Sequence, residues 1–104
     1  MTTMEIIITE ENGTLIADFK GRLDTLAASE CDPKLAPVRQ NADKNIVLEC
    51  GELEYISSSG LRIFLSILKD VKAKGGTLTL QHVNNEIRNI FTITGFHKLF
   101  TIKD

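Results

Sequence analysis

The chain reads KNIVLECGELEYISSSGL at residues 44–61, and this stretch decides the fold. Residues 44–50 are rich in β-branched and apolar side chains and predict a short buried strand. From Leu61 onward, apolar residues recur at intervals of three and four, which predicts an amphipathic helix that ends at Gly75-Gly76. Residues 51–56, three serines and Gly60 lie between this strand and this helix. The stretch therefore predicts a strand, a loop and a helix that begins in a serine cluster.

Two strands joined by a tight turn precede this segment. Residues 6–9 are β-branched, and residues 14–19 follow as a second strand. Between them, Asn12-Gly13 favours the positive φ angles of a hairpin turn. Gly21 is expected to close the resulting β-hairpin.

The segment after the hairpin predicts a broken helix. The side-chain oxygen of Asp24 or Thr25 can cap its start. Pro33 and Pro37 are unfavourable inside a helix because proline lacks an N–H donor and clashes with the preceding turn. We therefore expect a kinked or divided helix. Its apolar stripe comprises Leu26, Ala27, Ala28, Cys31, Leu35 and Val38.

The last part of the chain predicts a strand, a short helix and a final strand. Residues 77–81 alternate polar and apolar side chains, Asn84 or Asn85 can cap a helix that ends at Gly95, and residues 99–102 follow as a strand. The predicted order is β-β-α-β-α-β-α-β. Strands that alternate with helices imply crossovers, so we expect an α/β fold with a mixed, mostly parallel sheet and helices packed on it.

Length and charge fit one ordinary globular domain over residues 1–104. Apolar residues are 42% of the chain and charged residues 25%, and 12 Lys and Arg against 14 Asp and Glu leave a net charge of −2. Nucleic-acid binding lacks its usual basic footprint. No apolar run approaches the ~20 residues of a membrane span, and the N-terminus has no secretory signal. We expect a cytoplasmic domain with no direct nucleic-acid contact and no membrane insertion.

The residue types that bind metals and cofactors are scattered along the chain. Cys31 and Cys50 lie outside any C-x-x-C spacing, and His82 and His97 form no zinc pattern with them. Gly75-Gly76 lacks the following Lys and Ser or Thr of a P-loop. The sequence therefore predicts no metal site and no cofactor, and the two thiols are expected to act as small apolar side chains.

The serine cluster at residues 57–59 is the site that stands out. The first N–H groups of a helix have no partner within the helix, so they donate to a side-chain cap or to an anion. A cap is the commoner use, although three serines exceed what one cap needs. Gly60 has no Cβ, which lets another molecule approach the backbone closely. A phosphate here would add about −1.5 to −2 charges and alter the surface without unfolding the domain.

Four motifs in this order resemble the STAS domain of bacterial anti-sigma-factor antagonists, and the similarity covers essentially the whole chain. They are Gly21-Arg22-Leu23-Asp24, residues 53–61, Gly75-Gly76 and residues 90–96. The resemblance implies the STAS fold and a protein that, when unphosphorylated, binds an anti-sigma factor that is also a serine kinase, which frees the sigma factor. It also implies that the kinase ends this interaction by phosphorylation and that a PP2C-type phosphatase restores it.

The family motif, Asp-Ser-Ser/Thr-Gly, implies a role for each residue of the cluster. Ser58 matches the phosphorylated serine, with Ser57 and Ser59 as nearby alternatives. Apolar residues exposed beside it would strengthen the partner surface, and the candidates are Leu61, Ile63 and Phe64. The partner-binding residues that the resemblance implies are Asp24, Ser57, Ser59, Gly60 and Leu61.

The chain departs from the motif at Ser57, where the family has aspartate. Serine replaces aspartate as a helix cap almost without loss but supplies no charge. Two functions therefore stay open. One is an antagonist switched by serine phosphorylation; the other is an unphosphorylated STAS scaffold subunit of a phospholipid-transport ABC system or a stress-signalling complex. Asp24 likewise has two interpretations, a helix cap or a partner contact.

An enzyme is the third class. A serine nucleophile requires a base within hydrogen-bond reach and an oxyanion pocket. The chain has no G-x-S-x-G elbow, and nothing in the spacing of His82 and His97 ties either of them to Ser58. We therefore expect a regulatory binding module with no catalytic residue.

Overall fold

The computed structural model describes residues 4–103, which form a five-stranded sheet and its connecting helices. The strands are β1 (Met4–Glu11), β2 (Thr14–Leu23), β3 (Asn45–Ile56), β4 (Thr77–Gln81) and β5 (Thr101–Lys103). The helices are α1 (Thr25–Cys31), α2 (Ala36–Gln40), α3 (Ser58–Lys74) and α4 (Asn85–Thr94), with 3₁₀ turns at Asp32–Leu35 and Phe96–Lys98. No helix within this range is long and apolar enough to cross a membrane.

The order of strands in the sheet follows their order in the chain. β1 and β2 pair antiparallel, and β2–β3, β3–β4 and β4–β5 pair parallel. The predicted α/β order and the mixed, mostly parallel sheet are confirmed. Since each right-handed crossover moves one strand along in the same direction, the helices pack on one face. There Phe64 of α3 lies between Phe19 and Phe91, with ring centroids 5.2 and 6.4 Å away.

The proline-containing segment is divided, as the sequence predicts. Pro33 and Pro37 lie in the first turn of the 3₁₀ segment and of α2, where a missing N–H breaks no helical hydrogen bond. Arg39 of α2 fixes the pieces against α3. Its guanidinium donates to Asp32 at 2.6 Å and to Asp70 at 3.2 Å. The helical backbone is therefore interrupted, and the side chain of Arg39 links α2 to the 3₁₀ segment and to α3.

Several strand boundaries differ from the sequence-based expectation. β3 runs from Asn45 to Ile56, so the expected end of this strand at residue 50 and the loop after it are wrong. β2 continues past Gly21 to Leu23, although the described β1–β2 pairing ends at Gly21 opposite Met4, as expected; Gly21 has a φ of +109° where the β2–β3 register shifts. The last strand begins at Thr101 rather than at residue 99. Gly95 ends α4 in the left-handed region and a 3₁₀ turn follows, which leaves Phe100 to pack on Phe91 at 5.5 Å.

The start of α3 packs directly on the ends of β2 and β3. The backbone N–H of Ser57 donates to the carbonyl oxygen of Leu23 at 2.9 Å. A Cβ on Gly60 would lie 2.9 Å from side-chain atoms of both Leu23 and Ile56. The expectation that Gly60 lets another molecule approach is therefore wrong, because the chain's own core fills that space.

The other face of the sheet carries half-buried and charged side chains. Asp18 of β2 is the register partner of Glu49 of β3, so two carboxylates lie side by side. Desolvation raises the pKa of Asp18, Lys20 opposes this rise, and the nearby charge of Glu49 adds to it. Ionisation of Asp18 is therefore less favourable in the folded protein than in the unfolded chain.

Gly60→Ala is expected to destabilise the protein by about 1–3 kcal/mol, the usual cost of overpacking a core. The added methyl group has no space between the side chains of Leu23 and Ile56. Chemical denaturation measures the loss. Gly51→Ala is the matched control, because its added Cβ would meet the flexible end of Glu49 at 3.1 Å. Equal stability of Gly60→Ala and the unchanged chain would contradict this packing.

Asp18→Asn is expected to raise the melting temperature at pH 7 by about 1–3 °C, a size typical of surface substitutions. Since the folded state binds a proton on Asp18 more tightly than the unfolded state, the contribution of Asp18 to the stability of the unchanged chain rises as pH falls toward the ordinary pKa of 3.8. The advantage of Asn should fade over the same range. Thermal unfolding at several pH values measures both effects, with Asp43→Asn as control; a loss of stability at pH 7 would be the contrary result.

Candidate functional site

Three helix caps line one edge of the sheet. Asp24, Ser57 and Asn84 follow β2, β3 and β4 and cap α1, α3 and α4. Each side-chain oxygen accepts from the backbone N–H three residues further on, at 2.8, 3.1 and 2.8 Å. In open α/β sheets, the carboxyl ends of parallel strands are where ligands and partners meet the fold. The serine cluster therefore lies at the edge where recognition is expected.

Ser57 is committed to the fold. Its side chain is 7% exposed, and its hydroxyl accepts from the N–H of Gly60. Its own N–H is bonded to Leu23. The cap interpretation of the cluster therefore applies to Ser57.

Ser58 and Ser59 have different surroundings from Ser57. Ser58 is the first residue of α3 and is exposed, while Ser59 is half-buried. The first turn of α3, which lies wholly in the described part of the chain, has no acidic side chain. The positive end of the helix dipole is therefore not neutralised locally and tolerates added negative charge.

An open groove of about 400 Å³ lies beside the cluster, between α1 with its following 3₁₀ turn and the start of α3. Ser29 and Asp32 line it on one side, and Ser59 and Arg62 line it on the other. The groove therefore combines α1, which begins after Asp24, and the start of α3 in one surface.

The apolar side chains expected to be exposed at this surface are buried. Leu61, Ile63 and Phe64 are 6%, 8% and 0% exposed, so the expectation of exposure was wrong. Together with Gly60 they are among the buried residues of α3, and Ile63 forms part of the groove wall facing α1. The partner-binding set thus includes two residues, Gly60 and Leu61, whose side-chain positions are inside the core.

Leu26 supplies the exposed apolar side chain that the sequence analysis missed. It is 70% exposed in the first turn of α1, beside Asp24, and does not belong to the buried stripe. A signal was present in the sequence, because Ala27 and Cys31 already form the stripe at a spacing of four and Leu26 lies out of phase with them.

The two cysteines are buried, and each of the two histidines lies beside an oxygen atom of the chain. Both thiols are free and buried, as expected, and burial raises the pKa of Cys50 to about 12. His82 lies 2.6 Å from a carboxylate oxygen of Glu49, and His97 lies 3.3 Å from the carbonyl oxygen of Phe91. Among residues 4–103 no group of three or more His, Cys, Asp or Glu could hold a metal ion.

Two curated proteins are similar to this chain over nearly its whole length. BtrV of Bordetella bronchiseptica, which is named as an anti-sigma factor antagonist, is 31% identical over 99 residues, covering 95% of this chain and 85% of BtrV. The anti-sigma-B factor antagonist of Bacillus subtilis is 28% identical over 100 residues, covering 95% of this chain and 90% of its own.

The fold is shared with solved structures as well. The Bacillus cell fate determinant SpoIIAA in its phosphorylated form superposes with a TM-score of 0.70 at 18% identity, covering 94% of this chain and 90% of SpoIIAA. The family model of the STAS domain matches residues 5–104. The chain therefore belongs to the STAS domain family, and its relatives BtrV and the anti-sigma-B factor antagonist are named for the regulation of anti-sigma factors.

Proposed function

We propose that this protein is an anti-sigma factor antagonist that works as a binding module and not as an enzyme. Its partner surface comprises Asp24, Leu26, Ser58 and Ser59, and we call it the cap surface. Phosphorylation of Ser58 switches the interaction off. The observation that carries the proposal is the exposed Ser58 hydroxyl at the first position of α3, directly after a buried serine that caps the same helix.

The hydroxyl of Ser58 is not used by the fold. It makes no hydrogen bond within residues 4–103, whereas the neighbouring Ser57 hydroxyl is buried and bonded. A kinase can therefore reach Ser58 without breaking a contact that holds α3 in place. For the same reason we favour Ser58 over Ser57 as the phosphorylated residue.

The added phosphate acts on the surface. It brings about −1.5 to −2 charges to a helix start that accommodates negative charge, so the fold persists while the surface seen by a partner changes. The solved phosphorylated form of SpoIIAA supports this idea, because that relative keeps the shared fold with the modification.

The partner is an anti-sigma factor with serine kinase activity, and a PP2C-type phosphatase reverses the modification. Leu26, 70% exposed, offers an apolar anchor for it. Asp24 uses its Oδ1 atom to cap α1, which leaves the other carboxylate oxygen for a cationic group of the partner. We place this interaction in the cytoplasm, where bacterial transcription takes place.

A constitutive STAS scaffold subunit is the second candidate, and the serine at position 57 is the observation that favours it. The structure weakens that argument, however. Ser57 performs the capping that an aspartate would perform, at 3.1 Å from the N–H of Gly60, so the departure from the motif leaves the geometry of the helix start unchanged.

Incubation with the cognate serine kinase and ATP is expected to raise the mass of the protein by one phosphate. Ser58→Ala should abolish the increase, because it removes the exposed hydroxyl and leaves the Ser57 cap intact. Ser59→Ala is the matched control and should still be modified. Intact-protein mass spectrometry measures the change in mass. If the wild-type chain gains no phosphate, the function as a scaffold subunit is favoured.

Capture of the anti-sigma factor on immobilised protein tests the cap surface. Ser58→Asp is expected to weaken binding about tenfold or more, the equivalent of about 1.4 kcal/mol, whereas Ser58→Ala should bind as the wild type does. Leu26→Ala should also weaken binding.

Ile93→Ala is the matched control for that experiment. Ile93 is 75% exposed, but it lies in the last turn of α4, at the other end of the helix layer. Its truncation should leave binding unchanged. Equal capture of all four variants would refute the location of the partner surface.

A further inference from the structure

Arg62 lies one helical turn after Ser58 on α3. Residues four apart on a helix are neighbours, with Cβ atoms about 5–6 Å apart, and helical side chains tilt toward the N-terminus. The side chain of Arg62 is exposed and lines the groove beside Ser59. Arg62 also lines a second cavity with Ser66 and Lys69, so its exposed side chain lies over the helix surface between the two sites, and the spacing of four residues puts the Ser58 hydroxyl within its reach.

Arg62 is not used by the fold. Within the described chain, from residue 4 to residue 103, its guanidinium makes no hydrogen bond and no ion pair. Arg39 is the contrast, because it donates to Ser66, Asp32 and Asp70. Asp32 also lines the groove, but its Oδ1 atom lies 2.6 Å from Arg39. The positive charge of Arg62 is therefore available to an anion that arrives later.

We infer that Arg62 is the receptor for a phosphate on Ser58. The flat guanidinium fork donates two parallel N–H bonds to phosphate oxygens, the geometry in which arginine binds phosphate most strongly. Phosphorylation then changes the surface in two ways at once. It adds a dianion at Ser58 and removes a free cation from the groove. The inference rests on the proposed phosphorylation of Ser58 but concerns the state that follows it.

A titration of the phosphate tests the inference without the kinase. The full chain is produced with phosphoserine encoded at position 58, and the second pKa of the phosphate, ordinarily about 6, is followed by ³¹P NMR. The guanidinium stabilises the dianion, so this pKa is expected to rise by about 0.5 unit or more in Arg62→Gln. Arg62→Lys should restore part of the difference.

Arg22→Gln is the matched control. Arg22 is exposed near the same end of the sheet, but its guanidinium lies 4.6 Å from the ring centroid of Tyr55. Its removal should leave the phosphate pKa unchanged. Equal pKa values in the Arg62→Gln protein and its parent, or a larger change in Arg22→Gln, would overturn the inference.

Two further measurements keep the test decisive. The unphosphorylated Arg62→Gln chain should melt at the wild-type temperature, because Arg62 holds no contact in the described fold. In the wild-type background, the Nε–H resonance of Arg62 should shift between the Ser58 and phosphoserine forms, and an unmoved resonance counts against the inference. Failure of the kinase to modify Ser58 would instead contradict the proposed function. The titration could still be interpreted, because its phosphoserine is encoded and does not depend on the kinase.

Discussion

The hydrogen bond from the backbone of Ser57 to the carbonyl of Leu23 is the contact on which the candidate site depends. It joins the start of α3 to the end of β2, and α1 begins directly after β2. The close packing of Gly60 on the same strand ends brings the helix near enough for this bond. As a result, two helix starts that are distant in sequence share one surface, and the groove between them has a fixed shape.

Within one turn of α3 the three serines divide between folding and recognition. Ser57 is buried and its hydroxyl caps the helix, the hydroxyl of exposed Ser58 makes no hydrogen bond in the described chain, and Ser59 lines the groove. Because the cap belongs to a different residue from the exposed hydroxyl, a change at Ser58 does not expose an unsatisfied N–H group. A surface switch of this kind can operate without any refolding of the domain.

The sequence predicts those features that depend on neighbouring residues. The positions of the caps to within one residue, the break at Pro33 and Pro37 and the end of α3 follow from local backbone chemistry, and alternation with crossovers predicts a mixed, mostly parallel sheet but not its strand order. The burial of Leu61 and the exposure of Leu26 depend on which flank of a helix meets the sheet. That is set by tertiary packing and by the relative position of α1 and α3. The sequence likewise did not show why residue 60 is a glycine. Only the fold shows that the space beside Gly60 is filled by the chain's own side chains and not by a partner.

The uncharged cap at Ser57 also bears on how well the start of α3 would accommodate a phosphate on Ser58. An aspartate at that position would lie next to a phosphoserine and repel it, since two anions in adjacent residues disfavour each other. Serine provides the same cap at 3.1 Å without this penalty. In the proposed switch, the modified form is therefore electrostatically better tolerated here than in a relative with the motif aspartate.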